Sequence, residues 1–184
     1  MIENPRSGER IVILQTGDQS GGAVLVWDLY LGPGGRVPSA HVYPEQEERF
    51  RVLDGRMRFR VGHHRTTVGP GGTIVVPAGT VHHFANAGSS TAHLNVETRP
   101  ALDMEAMLVA AAALAQDQYW RQRAWPRPLD LAQFMDEFHA EVRSPRLAWL
   151  VGPLSTQIAR LARAHGLDSD YRQLRDTHRR PAAA

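Results

Sequence analysis

Histidine and glutamate are the residues of this chain best suited to bind a divalent metal or to move protons near neutral pH. The 184 residues include nine histidines and no cysteine, and every one of the 21 basic residues is arginine. Without cysteine the chain cannot form disulfides, zinc–thiolate sites, iron–sulfur clusters or thiol nucleophiles. Without lysine it cannot form a Schiff base or a P-loop phosphate site. Imidazole and carboxylate groups therefore carry the candidate chemistry.

Four candidate residues lie in two segments that are far apart in the chain. His41, Tyr43 and Glu48 belong to the first segment, and His82 belongs to the second. His41 and Tyr43 are two residues apart on an extended stretch, so their side chains point to the same side. The turn predicted at Pro77–Thr80 returns the chain so that His82 can meet them. Two imidazoles and one carboxylate are typical of open octahedral sites for Fe(II) and related metals.

The direction of Glu48 follows from the alternation of its strand. Glu48 shares one face with Phe50 and Val52, and the opposite face carries Glu47, Arg49 and Arg51. A buried guanidinium without a partner is too costly, so the arginine face is exposed to water. Glu48 therefore points inward, where a carboxylate needs a partner or a metal.

The elements that must position these residues are short strands separated by turns. Asp54-Gly55 is a strong signal for a two-residue hairpin, and Gly62–Arg65 is predicted as another turn. The predicted strands are Ile11–Leu14, Ala23–Leu31, Glu47–Leu53, Arg56–Val61, Thr73–Val76, Val81–Ala85 and Ala92–Thr98. Many short strands at this spacing indicate a sandwich or a barrel.

The composition changes near Pro100, from residues typical of strands and turns to alanine, leucine, arginine and glutamine. We therefore divide the chain into an all-β core at residues 1–100 and a helical extension at residues 101–180, packed on the barrel. Helical periodicity predicts helices over Asp103–Gln118, Leu129–Val142 and Leu147–His165.

The first segment resembles the first motif of the cupin family. Gly35, His41, Glu48 and Gly55 occur at the motif's spacing, and Tyr43 stands where the second histidine of the motif belongs. The resemblance covers roughly residues 23–98, and two motifs in order are stronger evidence than one.

The second segment resembles the second cupin motif at every fixed position. These positions are Gly71, Pro77, Gly79, His82 and Asn86. The resemblance implies an all-β core with the cupin double-stranded β-helix, or jelly roll, followed by C-terminal α-helices.

For the site, the resemblance implies a divalent metal such as Fe, Ni, Mn or Zn, with its identity open. The expected ligands are His41, Glu48 and His82, and the expected catalytic residues are Tyr43 and Glu48. The tyrosine leaves three outcomes open. The metal keeps three protein ligands; the phenol binds it directly, after the cation has lowered the phenol pKa; or the metal is absent and the cluster serves acid–base chemistry or substrate binding.

The expected function is that of a cupin enzyme acting on a small, apolar or aromatic metabolite. Members similar to this chain include dioxygenases of the quercetinase kind, so the first expectation is a dioxygenase-like oxidoreductase. The alternatives are a metal-free isomerase, lyase or cyclase, and a protein that binds or senses a small molecule without catalysis. The candidate substrate-binding residues are Phe50, Met57, Phe59, Phe84 and, if the polar face of its strand points inward, Glu97.

We expect a cytoplasmic protein that binds a small-molecule substrate and forms a homodimer, because the chain shows no targeting signal or membrane span and its helical region is rich in apolar residues. The formal net charge of +2 does not argue for nucleic acid. Thr156–Arg175 resembles a helix-turn-helix, but too few residues remain around it for a supported DNA-binding unit. Six further histidines are predicted at the surface: His63, His64, His83, His139, His165 and His178.

Overall fold

Two antiparallel β-sheets form the core of the computed structural model, which describes residues 1–37, 39–116, 128–143, 156–158 and 160–161. The strands are β1 Ile2–Asn4, β2 Glu9–Gln15, β3 Leu25–Leu31, β4 Glu47–Asp54, β5 Met57–Val61, β6 His64–Val68, β7 Thr73–Val76, β8 His82–Asn86 and β9 Ala92–Arg99. The six-stranded sheet has the order β1-β2-β3-β9-β4-β7 and the three-stranded sheet the order β6-β5-β8. Helices α1 Met104–Gln116 and α2 Pro128–Glu137 follow. The predicted all-β jelly-roll core with C-terminal helices is confirmed.

Strand β6 is one of two strands that the sequence did not predict. The residues predicted as a turn, Gly62–Arg65, instead contain a two-residue turn at Gly62-His63, after which Val61 pairs with His64. Every residue of β6 except its last is exposed. A strand exposed on both faces carries no alternation of apolar and polar residues, so its sequence gives no strand signal. The other missed strand is the three-residue β1.

The predicted faces of β4 and β5 are confirmed. Glu48 is buried with Phe50 and Val52, while Arg49 and Arg51 are exposed. In β5 the inward residues are apolar, and the outward ones are arginines, as the alternation predicted. The cost of burying unpaired guanidinium thus fixes the orientation of the strand that carries Glu48.

Strand β9 corrects the placement predicted for Glu97. Leu94 and Val96 are fully buried, whereas Glu97 points to the outside of the six-stranded sheet and its carboxylate lies 2.8 Å from Nη2 of Arg99. The apolar residues of β9 face the core because they gain more from burial than the polar ones. Glu97 therefore does not line the interior of the barrel.

The described helices share the core of the barrel. Met104 and Met107 of α1, and Phe134 and Phe138 of the α2 region, belong to the same hydrophobic cluster as the inward side chains of the strands. The buried amide of Gln46 donates hydrogen bonds to the carbonyls of Pro100 and Ala101, at 3.0 and 2.9 Å, and so ties the helical region to the sheet.

The predicted helices are found with shorter bounds where the structure describes them. The helix predicted at Asp103–Gln118 is α1, and the one predicted at Leu129–Val142 ends at Glu137, where the chain enters a turn. Most of the helix predicted at Leu147–His165, and most of the helix-turn-helix pattern, lies outside the described residues. None of the helices described is long and apolar enough to cross a membrane.

Candidate functional site

His41 and His82 are brought together by an isolated antiparallel bridge between the two motif segments. The backbone N–H of His41 donates to the carbonyl of His82 at 3.1 Å, and the N–H of His82 donates to the carbonyl of His41 at 2.9 Å. Residues that exchange both hydrogen bonds are directly opposite each other and their side chains lie on one side. The two imidazole rings accordingly meet edge to face, with centroids 4.2 Å apart.

The predicted turn at Pro77–Thr80 is present and leads the chain into β8. The N–H of Thr80 donates to the carbonyl of Pro77 at 3.1 Å. Gly79 has a φ of +72°, which the third position of a type II turn requires. The N–H of Gly79 donates to the carbonyl of Tyr43 at 2.8 Å, so the turn also holds the segment that carries the tyrosine.

Glu48 and His82 form a buried contact in which the two facing atoms make no hydrogen bond. Oε2 of Glu48 lies 3.1 Å from Nε2 of His82, and both side chains are almost fully buried. Nδ1 of His82 lies 3.1 Å from the carbonyl oxygen of Thr80, and since a carbonyl only accepts, Nδ1 carries the proton. In the neutral ring Nε2 is then an acceptor facing a carboxylate oxygen. Both atoms lack a hydrogen-bond partner among the described residues.

His41 presents the same tautomer beside this pair. Its Nδ1 donates to the carbonyl of Ser39 at 3.2 Å, which leaves Nε2 with a free lone pair. Burial and the neighbouring His82 lower the pKa of His41 to about 3. His41 is therefore a neutral imidazole at physiological pH, which is the form that binds metals.

Tyr43 lies beside both histidines and keeps its proton. Its ring centroid is 5.0 Å from that of His41 and 5.2 Å from that of His82. Burial first, and then the carboxylates of Glu48 and Glu9, raise the pKa of Tyr43 well above its usual value. A buried phenol in this state is a hydrogen-bond donor to whatever occupies the site.

Glu9 is a site residue that the sequence reasoning missed. It begins β2, lines the same cavity as Tyr43 and Glu48, and accepts a hydrogen bond of 2.5 Å from the hydroxyl of Ser7. Burial, and to a lesser degree Glu48, raises the pKa of Glu9, against the lowering effect of Ser7. One signal was available: Glu9 shares a strand face with Ile11, which faces the core.

A cavity of about 430 Å³ lies between these polar groups and the described helices. One wall is apolar and is formed by side chains of the barrel and of both helices: Trp27, Val37, Phe84, Met107, Leu108, Ala111, Leu114, Leu131, Phe134, Met135 and Val142. The polar side carries Asn4, Arg6, Glu9, Arg36, Ser39, His41, Tyr43 and Glu48. A cavity of this size, mostly apolar with a few grouped polar side chains, is typical of small-molecule sites.

The predicted substrate-binding residues are divided between the cavity and the core. Phe84 lines the cavity. Phe50, Met57 and Phe59 are at most 1% exposed. They belong to the core cluster and not to the cavity lining, and the Phe50 and Phe84 rings lie 5.3 Å apart. The placement of these three, like that of Glu97, is corrected. The alternation of apolar and polar residues in a barrel strand shows which side chains point inward. It does not show which of these side chains lie in the packed core and which line the cavity.

Of the three predicted metal ligands, Glu48 and His82 lie at a distance from each other that fits a shared cation. The buried lone pairs of Glu48 and His82 face each other at 3.1 Å, close to the ~3.0 Å between neighbouring donors of an octahedral metal with bonds of ~2.1 Å. In the part of the chain that the structure describes, no group of three or more His, Cys, Asp or Glu side chains is spaced to hold a metal ion. The ring of His41 contacts the ring of His82. Binding of one metal by His41, Glu48 and His82 together stays a prediction.

The remaining histidine predictions concern the surface. His63, His64 and His139 are exposed, and His83 is half-buried and faces away from His82. His165 and His178 lie outside the described residues.

Comparisons with known proteins agree with this fold. Residues 27–98 match the family model described as a cupin domain. KdgF from Halomonas sp. is a similar solved structure, with 13% identity, a TM-score of 0.50, and coverage of 57% of this chain and 92% of that chain. No curated protein matches this sequence.

Two further solved structures cover less of the chain. The cupin domain of Schizosaccharomyces pombe Cnp3 has 15% identity and a TM-score of 0.46, over 50% of this chain and 64% of that chain. A sugar phosphate isomerase of the cupin superfamily from Silicibacter pomeroyi has 26% identity and a TM-score of 0.42, over 48% and 59%. This chain thus spans less than two thirds of the length of either structure.

The fold and the site define a protein with a jelly-roll β core and a cavity lined by a group of polar side chains. Residues 27–98 of this core are similar to a cupin domain.

Proposed function

We propose that this protein is an enzyme that uses a divalent metal, held by His41, Glu48 and His82, to act on a small and mostly apolar metabolite. The observation that supports this proposal is the buried pair of lone pairs on Glu48 Oε2 and His82 Nε2, 3.1 Å apart. Burying two acceptors against each other is costly unless a cation or a proton lies between them.

In this proposal the metal, Glu48, Tyr43 and the apolar wall each have a separate role in the reaction. A bound metal would act as a Lewis acid that polarises an oxygen of the substrate. In this proposal Glu48, which lines the cavity, takes a proton from the substrate. Tyr43, which also lines the cavity, would donate a hydrogen bond from its hydroxyl to the oxygen on which negative charge develops. The apolar wall of the cavity excludes water, which strengthens these interactions.

The first form of the proposal is a dioxygenase-like reaction on an enol or phenol. It is favoured by the donor set, because two imidazoles and one carboxylate leave coordination positions open in Fe(II) sites. We would incubate the metal-loaded protein with a panel of small enols and phenols and measure oxygen uptake. The wild type and His83→Ala should consume oxygen with at least one compound, and His82→Ala should not.

The second candidate is a metal-free isomerase, lyase or cyclase. It is favoured by Tyr43, which stands where cupins usually have a third histidine, and by the distance between Glu48 and His82, which also suits a shared proton. Incubation in D₂O without oxygen separates the two forms. Deuterium incorporation that survives chelator treatment supports the metal-free enzyme. If no compound gives oxygen uptake or deuterium incorporation, the result contradicts catalysis and leaves a binding protein.

A further inference from the structure

We infer that the outer face of the three-stranded sheet is a binding surface for the phosphate backbone of a nucleic-acid duplex. This surface, the basic face, is defined by the outward side chains of Arg36, Arg58, Arg60, Arg65 and His83. It lies on the opposite side of the sheet from the cavity, so it does not depend on the proposed enzymatic reaction.

Strand pairing places four of these side chains on the outer side of the sheet. Arg58 and Arg60 are exposed residues of β5, and the apolar residues before and between them are buried. Arg60 is directly opposite Arg65 of β6 and His83 of β8, and residues in direct register point to the same side of a sheet. Arg58 and Arg60 are two residues apart, or ~7 Å along the strand, so their charges are neighbours.

Arg36 extends the basic face beyond β8. Its backbone forms a bridge with Ala85, which is directly opposite Arg58 on its other side. Arg36 is one of the residues around the cavity, but it is exposed and the buried Val37 that follows it points inward, so the Arg36 side chain leaves on the outer side. Arg36 and Arg58 therefore flank Ala85, with Cα atoms ~10 Å apart, which is two strand spacings.

The charges of Arg36 and Arg58 are close enough to act on His83. Burial first, and then these two guanidinium groups together with His82, lower the pKa of His83, against the raising effect of a hydrogen bond with the backbone of Val37. No carboxylate is among these influences, so an acidic neighbour does not offset the positive charge there.

The basic face lacks acidic partners in the part of the chain that the structure describes. From Gly55 to Val96 the sequence has no Asp or Glu, so β5, β6 and β8 carry no carboxylate. None of the four arginines of the face forms an ion pair with a described residue. Their guanidinium groups are therefore available to an anionic partner.

The outer face of the six-stranded sheet differs, because its arginines have acidic neighbours. Arg49 lies 4.0 Å from the carboxylate of Glu47 and is directly opposite Glu97. Arg99 lies 2.8 Å from the carboxylate of Glu97. Positive charge is thus concentrated on the basic face, although the formal net charge of the chain is only +2.

A phosphate backbone fits the basic face better than a membrane or unpaired bases do. A guanidinium group forms two parallel hydrogen bonds with a phosphate, and a duplex carries one negative charge per ~1.7 Å of its axis, so several phosphates are within reach at once. The outward residues between the charged ones are Thr67 and Ala85. They offer neither a large apolar side chain for a membrane nor a Phe, Tyr or Trp ring that stacks on bases. Phosphate contacts carry no sequence information, so we expect binding without sequence preference.

Fluorescence anisotropy with a labelled DNA duplex of mixed sequence tests this surface on the full-length protein. The wild type should bind, and log K against log salt should have a slope of about −3 to −4 between ~50 and ~200 mM KCl, because each neutralised phosphate contributes about −0.9. The double variant Arg58→Gln/Arg60→Gln should make the slope shallower by about two and weaken binding about tenfold or more at ~50 mM KCl. Both residues are exposed, so the variant should keep the fold.

A second double variant is the matched control. Arg49→Gln/Arg51→Gln removes the same charge from exposed positions of β4, on the six-stranded sheet, and it should bind the duplex with the affinity and slope of the wild type. Binding by the wild type should also survive a chelator, because the basic face uses no metal. A failure of the proposed reaction therefore leaves this result unchanged.

Three results would overturn the inference. Absence of duplex binding by the wild type at ~50 mM KCl means that the basic face is only a solvated surface. Equal weakening by the two double variants means that the total charge of the protein attracts the DNA. Stronger competition by poly-L-glutamate or by phosphatidylserine vesicles than by unlabelled duplex means that the partner is an acidic protein or a membrane.

Discussion

Nε2 of His82 lies 3.1 Å from Oε2 of Glu48, and neither atom has a hydrogen-bond donor within the described residues. The carbonyl of Thr80 fixes the tautomer of His82 by accepting from Nδ1, so the backbone before β8 determines which ring nitrogen faces the carboxylate. Outer hydrogen bonds of this kind orient metal-bound histidines in general.

Replacing Tyr43 by histidine should complete the ligand pattern that is usual in cupins. Tyr43 lies against both His41 and His82, so an imidazole there would supply a third nitrogen donor on the same side. We expect Tyr43→His to raise the affinity for a divalent metal by about tenfold or more, because even outer-shell partners change metal affinity ~10–100-fold. Competition with a coloured chelator measures this change.

Two variants serve as controls for the tyrosine. Tyr30→His places the same new side chain on the outside of the six-stranded sheet, where Tyr30 stacks on His93, and it should leave the affinity unchanged. Tyr43→Phe removes only the hydroxyl and should retain the metal. Loss of metal from Tyr43→Phe would mean that the phenol itself is a ligand, contrary to the protonated state assigned here.

Glu9→Gln should stabilise the protein above pH 5 and not below pH 4. Burial raises the pKa of Glu9, so the folded state favours the protonated carboxyl. The associated stability is present below the unfolded pKa of about 4.3 and is lost as pH rises toward the folded pKa. Glutamine stays neutral at every pH and still accepts the hydrogen bond from Ser7, so the variant avoids this loss. Above pH 5 its free energy of unfolding should exceed that of the wild type by on the order of 1 kcal/mol.

Urea unfolding at pH 4, 6 and 8 measures this dependence. Glu3→Gln is the matched control, because Glu3 is exposed on the neighbouring strand β1 and should give the same small change at every pH. If Glu9→Gln is less stable than the wild type at pH 8, the Glu9 carboxylate is paired in the folded protein and its assignment here is wrong.

Gly55→Ala should destabilise the barrel more than Gly62→Ala does. Both glycines have a positive φ, +80° and +57°. A Cβ at Gly55 would lie 2.7 Å from Cα of Ala92, whereas a Cβ at Gly62 meets no atom within 4 Å. We expect a loss of about 1 kcal/mol for Gly62→Ala from the backbone alone, and ~2–4 kcal/mol for Gly55→Ala once the clash is added.

Both glycine variants carry the cost of a positive φ, so the clash of the new Cβ with Ala92 is the one cause that differs between them. Chemical denaturation at a single pH gives the comparison. Equal losses would show that β9 moves away from the Asp54-Gly55 turn at little cost, and that the close approach to Ala92 does not restrict this position.

The sequence predicted the barrel and the inner cluster through different physical signals. The arginines of β4 fixed the direction of Glu48, because their burial would have been costly. The spacing of the two motifs predicted that His41 and His82 would meet, and the bridge between them is the reason that they do. These signals are local to one strand or one turn, which is why a single sequence carries them.

The missed features depend on contacts between distant elements. Glu9 belongs to no motif. Its strand face could be read from Ile11, but its place in the cavity depends on the sheet that sets β2 beside β3. The apolar wall formed by α1 and α2 depends on how the helices dock, which periodicity does not encode. The inward placement of Glu97 was wrong because alternation defines two faces of β9 without showing which one points inward. The structure shows that the inward face is the one that carries the buried Leu94.

The metal content of the purified protein tests the central claim most directly. Wild type, His82→Ala and His83→Ala would be produced without a histidine tag or chelator and analysed by inductively coupled plasma mass spectrometry. His83 is the matched control because it is adjacent in sequence and faces away from the cluster. We predict about one divalent metal per chain in the wild type and in His83→Ala, as for one fitted site, and almost none in His82→Ala. A wild type without metal, or a His82→Ala variant that retains as much as the wild type, would contradict the assignment of His41, Glu48 and His82 as the ligands.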